Sequence, residues 1–337
     1  MGTSPAVCCH SPFINAVQDG SHVPLKEPFT MTSHRQEMST HGVGPPAGNA
    51  ATMLRSSIVL ALVLAVALLV AACGSGTPQV TKPLTFSNGY FNAKNFVDPR
   101  VGANRWLPLK PGTQWVRDGT TLVGNRAVPH KVLSTVTDVI RVINGVKTVA
   151  VFDHSVDSGQ VVQQSLDYFA QDKKGNIWDF GAATEQYEAG RFVTVDEAWI
   201  AGVDGAKPGI LMPANPTAGT PPWAIAQPPG EDGDAAAFQR MQPRECVPFG
   251  CFDNVLVVEE GKKTALNNEY KYYALGVGQI RNEPLGASRH QDIETLANFT
   301  LLSPAGLAEA SKEAMRIDAE AARLLPKLFG KGKATRG

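Results

Sequence analysis

Hydrophobicity changes pattern three times along the chain. Residues 58–72, IVLALVLAVALLVAA, are apolar without interruption. The run is shorter than the roughly 20 residues of a spanning helix. It also lacks the polar stripe that a helix at the surface of a folded domain carries. From about residue 131 the pattern becomes short runs rich in Val, Ile and Thr, divided by turn residues. Residues 131–143 and 146–152 read as two strands joined by Asn144-Gly145, a pair that tolerates the positive φ of a tight hairpin. Asp157-Ser158-Gly159 turns the chain into a third strand at 160–171. Lys173-Lys174-Gly175-Asn176 turns it into a fourth at 177–180, and residues 192–200 add a fifth. The third pattern is helical. Leu307, Ala310, Ala314, Ile317, Ala321, Leu324 and Leu328 recur at spacings of three and four, behind Ser303 as N-cap and Pro304 at the first helical position.

Between these regions, residues 202–233 contain seven prolines and six glycines. Regular structure is not expected there, although Trp223 and Ile225 give the loop apolar contacts to make. Strands are predicted again at 254–259, 269–274, 277–281 and 293–302. The sum is a mainly β fold. It is an antiparallel meander, as a sandwich or a partly open barrel, with a long Pro/Gly-rich loop and a C-terminal amphipathic helix.

The apolar run ends at Val70-Ala71-Ala72-Cys73, and Arg55 precedes it. An aliphatic residue, two small residues and a cysteine form the pattern of a bacterial lipoprotein signal. Cleavage precedes the cysteine, whose thiol takes a diacylglycerol. Two or more acyl chains then anchor stably where one is marginal. The expected organisation follows. Residues 1–52 are a mis-set translation start or a disordered leader, and 53–72 the signal peptide. Residues 73–104 are anchor and tether, 105–302 the β domain, 303–329 the helix and 330–337 a basic tail. The expected location is the extracytoplasmic face of the cell membrane, held through lipid on Cys73.

Charge narrows the partners. The chain has 31 basic and 31 acidic residues and 18% charged residues overall. A neutral chain lacks the basic face that nucleic acid requires. Of five cysteines, Cys246 and Cys251 lie in CVPFGC, and outside the membrane they are expected to form a disulfide. His130, His154 and His290 are scattered, so the spacing shows no zinc motif. Gly261-Lys262-Lys263-Thr264 and Gly276-Val277-Gly278 are incomplete phosphate and dinucleotide fingerprints, and no cofactor is expected.

Four segments, LPLKPGTQWV (107–116), DYFAQDKKGNIWDFG (167–181), AGVDGAKPGILMPANP (201–216) and EYKYYALGVGQI (269–280), resemble a family of bacterial envelope proteins without assigned activity, many of them predicted lipoproteins. The resemblance covers about 105–285 and implies an envelope location but no catalytic residues. Phe169 and Asp179 stand where that family more usually has Tyr.

On the third strand Gln163, Ser165 and Asp167 point one way, and Leu166, Tyr168 and Ala170 the other. Asp167, Asp204 and Glu231 are the candidate ligand or cation residues, since oxygen-rich loops suit hard cations. Their ordinary alternative is a solvated face or a turn cap. The reading is a lipid-anchored envelope protein with a non-catalytic binding or structural role, toward an envelope protein, a lipid or a cell-wall ligand. The alternative is a carboxylate-dependent hydrolase or a cation-binding envelope protein.

Overall fold

The computed structural model describes residues 91–230, 232–262, 265–285 and 292–337, without the side chains of 265–268. They belong to one compact unit spanning 76–337. In chain order the strands are β1 (Thr113–Val123), β2 (Arg126–Ile143), β3 (Val146–Asp157), β4 (Gln160–Gln171), β5 (Ile177–Glu188), β6 (Arg191–Ile200), β7 (Lys207–Met212), β8 (Trp223–Gln227), β9 (Asp234–Val247), β10 (Gly250–Lys262), β11 (Ala265–Ala274), β12 (Gly278–Pro284), β13 (Ile293–Leu301) and β14 (Thr335–Arg336). One long helix, α1 (Pro304–Leu324), follows β13, and a short turn of helix spans Pro326–Phe329.

The antiparallel β architecture predicted from the pattern is present, and it closes. Strand β1 pairs with both β2 and β13, so twelve strands form a ring in the order β1-β13-β12-β11-β10-β9-β8-β7-β5-β4-β3-β2. Closure removes the free edges that an open sheet would expose. Strand β6 pairs with β5 outside the ring, and β14 extends the edge of β2.

The turns explain the first half of the ring. Asn144 and Gly145 have φ of 49° and 79°, as a tight hairpin requires, and Ser158 and Gly159 repeat this at 50° and 86°. The fourth strand runs on to Glu188, well past the expected 180. The Pro/Gly-rich stretch 202–233 differs more. It holds β7 and β8, because Lys207-Pro208 pairs with Ala226-Gln227 and Trp223 pairs with Ala236. Tertiary pairing overrides the breaker signal of its composition. Strand β9 was also not expected. Its partner β10 supplies a register of twelve residue pairs that local composition does not show. Residues 91–104, expected as tether, pack down: Phe91 and Phe96 lie edge-on to Phe180, with centroids 5.9 and 5.3 Å away.

Helix α1 starts where the sequence places it, with Ser303 Oγ accepting from Gly306 N at 3.2 Å. It lies on the outer faces of β2 to β5. Ser311, Ala314, Ile317, Asp318 and Ala321 are its buried residues, so the stripe is shorter and more polar than expected, and Leu324 is exposed. Leu166, Tyr168 and Ala170 face it from β4 and are fully buried. Elsewhere the outer wall carries charged pairs, among them Lys131–Asp118 at 3.2 Å, Arg244–Asp253 at 3.3 Å and Arg281–Glu245 at 2.9 Å. A barrel spanning a membrane presents an apolar band about 25 Å tall on that side. At these positions β1, β2, β9, β10 and β12 present paired charges instead. Among the described residues no helix is long and apolar enough to cross a membrane.

Candidate functional site inside the barrel

Strand alternation sends every second side chain into the ring. From β1 come Trp115 and Arg117, from β2 His130 and Ser134, and from β3 Val151, Asp153 and Ser155. Strand β4 adds Gln163, Ser165, Asp167 and Phe169, while β11 adds Lys271 and Tyr273. The face holding Gln163, Ser165 and Asp167 is therefore neither solvated surface nor core. It lines an internal cavity.

The cavity has two adjoining parts that share four lining residues. The polar part, about 420 Å³, is lined by His130, Asp153, Glu269, Lys271, Asp292 and Glu294 among others. The second, about 230 Å³, mixes Asp167 and Asp179 with Leu107, Leu109, Trp115 and Leu211. Arg117, Asp153, Lys271 and Gln279 border both. Six carboxylates (Asp153, Asp167, Asp179, Glu269, Asp292 and Glu294) thus face two full cations and one histidine. A space of this size and polarity holds water or a small polar ligand.

Leu107 and Leu109 reach this wall through a built turn. Asn104 Oδ1 accepts from Trp106 N and Leu107 N at 2.8 and 2.9 Å, and Gln171 Oε1 accepts from Asn104 N at 3.0 Å.

The charges are graded along the cavity. Burial pushes the Asp167 carboxyl well above its ordinary range, and the neighbouring Asp153 and Asp179 push it further. Burial lifts Asp179 to about 8, although Gly181 N donates to its Oδ1 at 3.0 Å. Burial also raises Asp153, with Arg117 pulling the other way. Glu294 goes in the opposite direction. Burial opposes its charge, but Arg117 and His130 hold it down to about 2. Arg117 Nε donates to Glu294 Oε2 at 2.7 Å, and Arg117 Nη2 donates to Ser134 Oγ at 2.7 Å. Asp167 and Asp179 are thus biased toward the neutral acid, while Glu294 is an ionised carboxylate in an ion pair.

Among the described residues two buried acceptors that line the cavity, Asp153 Oδ1 and Asn282 Oδ1, have no hydrogen-bond partner. Asn282 is oriented, since its Nδ2 donates to Asp292 O at 3.0 Å and to Glu269 Oε2 at 3.3 Å. An unpaired buried acceptor costs about 1–3 kcal/mol, and a ligand that donates hydrogen bonds or carries positive charge removes that cost.

At the polar end, His130 Nδ1 lies 2.6 Å from Asp157 Oδ1, its register partner on β3. Its Nε2 faces Asp292 Oδ2 at 3.4 Å and Glu294 Oε1 at 3.7 Å. His130 and Glu294 stand on β2 and β13, and both pair with Gly119 of the strand between them. A Cβ on Gly119 would lie 1.7 Å from the Ile293 carbonyl oxygen, so this close approach requires glycine.

Of the residues singled out from sequence, Asp167 lines the cavity. Asp204 is in an exposed turn at φ 49° between β6 and β7, and is not a lining residue of either part. Glu231 and Cys73 lie outside the described residues, as does His290. Cys246 and Cys251 oppose one another across β9 and β10 and are joined as a disulfide. Sequence reading missed Arg117, His130, Asp153, Asp179, Lys271 and the pair Asp292/Glu294. For the last pair a signal existed: Asp-Ile-Glu at the start of a strand puts two carboxylates on one face.

No protein-family model matches the chain, and no curated protein matches it. Two solved structures are similar to it. One is a candidate lipoprotein from Parabacteroides distasonis ATCC 8503, with 15% identity and a TM-score of 0.27 over 58% of this chain and 99% of that one. The other is a candidate exported protein with a YmcC-like fold from Bacteroides fragilis NCTC 9343. It has 9% identity and a TM-score of 0.27 over 59% of this chain and 100% of that one.

Proposed function

We propose that the protein is a lipid-anchored envelope protein whose barrel binds a small, polar, hydrogen-bond-donating ligand without turning it over. The observation that carries the binding reading is the cavity, in which Asp153 Oδ1 and Asn282 Oδ1 await donors among six carboxylates. The lipid anchor rests on the run at 58–72 ending in Cys73. A small hydroxylated or cationic molecule from the cell wall or periplasm has the matching chemistry.

Native mass spectrometry of the detergent-purified full-length chain tests the cavity. A non-covalent small-molecule adduct is expected in the wild type and is expected to be lost in Ser165→Trp, which fills the polar part. A lumen empty in both proteins ends the binding reading. The anchor is tested by Cys73→Ser, which should leave uncut or released protein. Normal processing and membrane retention of that variant would contradict it.

A carboxylate-dependent hydrolase is the second reading. Asp167 and Asp179 favour it, because both are held protonated by burial in the cavity that also holds ionised Glu294. Acid–base work needs such a contrast of protonation states.

A further inference from the structure

We propose that His130, Asp292 and Glu294 form a binding site for a divalent transition-metal ion of the zinc class, at the polar end of the cavity. The ligand atoms of all three lie within 4.8 Å of one another. His130 Nε2 is 3.4 Å from Asp292 Oδ2 and 3.7 Å from Glu294 Oε1. Zinc bonds to histidine nitrogen and carboxylate oxygen are about 2.0–2.2 Å, so the edges of a tetrahedron around the ion are about 3.3–3.6 Å. The two edges from His130 Nε2 lie close to that range, and the edge between the two carboxylates, within 4.8 Å, closes as the ion draws them in.

The supports of the ligands are also in place. A metal-binding imidazole is characteristically held at its other nitrogen by a carboxylate, and Asp157 takes that position at 2.6 Å from Nδ1. When an ion displaces the Nε2 proton, Asp157 keeps the other proton on Nδ1 and so leaves Nε2 to coordinate. Arg117 occupies Oε2 of Glu294 and leaves Oε1 facing His130. Asn282 Nδ2 holds the backbone carbonyl of Asp292 at 3.0 Å.

An independent observation points to a ligand in the same space. Asn282, the register partner of Glu294, is only 6% exposed and lines the polar part, yet its Oδ1 has no partner. Among the described residues that oxygen has no donor, and it borders the space where a water on the ion would sit. Three protein ligands leave a fourth position open to the cavity, the pattern of sites that hold water or substrate. The ligands come from β2, from β13 and from the residue just before β13, with Gly119 of β1 allowing His130 and Glu294 to approach. The ion site goes beyond the lumen-binding reading, since an ion at this end needs no second ligand.

The test is calorimetric titration with Zn²⁺ alone. The full-length chain is solubilised in detergent and stripped with chelator, and any free thiol at Cys8, Cys9 or Cys73 is alkylated so that thiols do not compete. The expected result is one tight site that disappears in His130→Gln and in Asp292→Asn. Asp157→Asn should weaken it by about 10–100-fold. Histidines of residues 1–52 add only a background common to all variants. Asp292 is 34% exposed, so its amide variant keeps the fold, and it decides alone if the His130 variant fails to fold. Equal Zn²⁺ affinity and stoichiometry in wild type and Asp292→Asn overturn the proposal. So does a folded wild type that takes no tight ion. Tight Zn²⁺ binding that the variants abolish upholds it even where native mass spectrometry finds no small molecule in the lumen.

Discussion

Arg141 Nη1 donates to Asp318 Oδ1 at 2.5 Å, joining β2 to helix α1 in a place where the arginine side chain is 1% exposed and the aspartate 7%. Tyr168 Oη donates to the same oxygen at 2.7 Å, and Arg141 Nη2 donates to Phe329 O at 2.7 Å. The guanidinium lies 5.9 and 5.2 Å from the ring centroids of Tyr168 and Phe329. The helix is thus attached to the barrel by a satisfied buried ion pair as well as by its apolar stripe. Removing one partner strands a buried charge, which typically costs about 3–5 kcal/mol. Asp318→Ala should lose that much in urea unfolding. Replacing both, Arg141→Met with Asp318→Leu, should cost clearly less. Equal losses from the single and the double variant would show that shape, rather than charge pairing, matters at this contact.

Asp179 gives the fold a pH dependence of definite sign. Its carboxyl goes from an ordinary 3.8 to about 8 in the folded chain. Between those values the folded state keeps a proton that the unfolded state releases. The stabilisation from this proton is complete below about pH 4, declines as pH rises, and is gone above about pH 8. Asp179→Asn retains an oxygen for Gly181 N and removes the titration. The stability of the variant relative to wild type should therefore rise from pH 5 to pH 9, by at least the roughly 1.4 kcal/mol equivalent to one pKa unit. Urea midpoints at the two pH values measure it. A pH-independent difference would place Asp179 in water.

What the sequence displays of this fold is local. The hairpins at Asn144-Gly145 and Ser158-Gly159 are legible because turn chemistry and strand pattern are neighbours in the chain. Closure depends on β1 meeting β13, as Thr113 meets Leu301, and no local pattern encodes that pairing. Strands β7 and β8 hide in Pro/Gly-rich sequence because short pairings such as Pro208 with Ala226 need no propensity of their own. The inward face of β4 was legible as a face, but its meaning turns on closure: polar residues on an open sheet are solvated, and the same residues in a closed ring line a lumen. The polar end is the least legible part. His130, Asp157, Asp292 and Glu294 are held together only by the order of strands β3, β2, β1 and β13.

The disulfide should contribute modestly. Cys246 and Cys251 are register partners at the end of the β9–β10 hairpin, so the loop they close is short. Chain entropy for a loop of this size gives about 2 kcal/mol. The intact hairpin already restrains the same residues. Reduction should lower the melting temperature by no more than about 4–8 °C, given roughly 2–4 °C per kcal/mol for a domain of this size. Unfolding on reduction would mean that the bridge, rather than the ring closure, holds β9 and β10 together.

Asp167 separates the binding reading from the hydrolytic one. Burial, with Asp153 and Asp179 close by, raises its carboxyl well above the ordinary range and so favours the protonated form. A protonated acid and an amide have nearly the same shape and polarity, so Asp167→Asn conserves what a bound ligand would meet. It removes only the ability to give up a proton. A binding protein should therefore keep its adduct in native mass spectrometry, its melting temperature and its cellular phenotype in this variant. A hydrolase that uses Asp167 as its acid should lose about 10²–10⁴-fold in turnover, the usual worth of such a group, with folding and ligand capture intact. A folded, anchored Asp167→Asn protein that retains its ligand but loses its cellular function would decide for chemistry over binding.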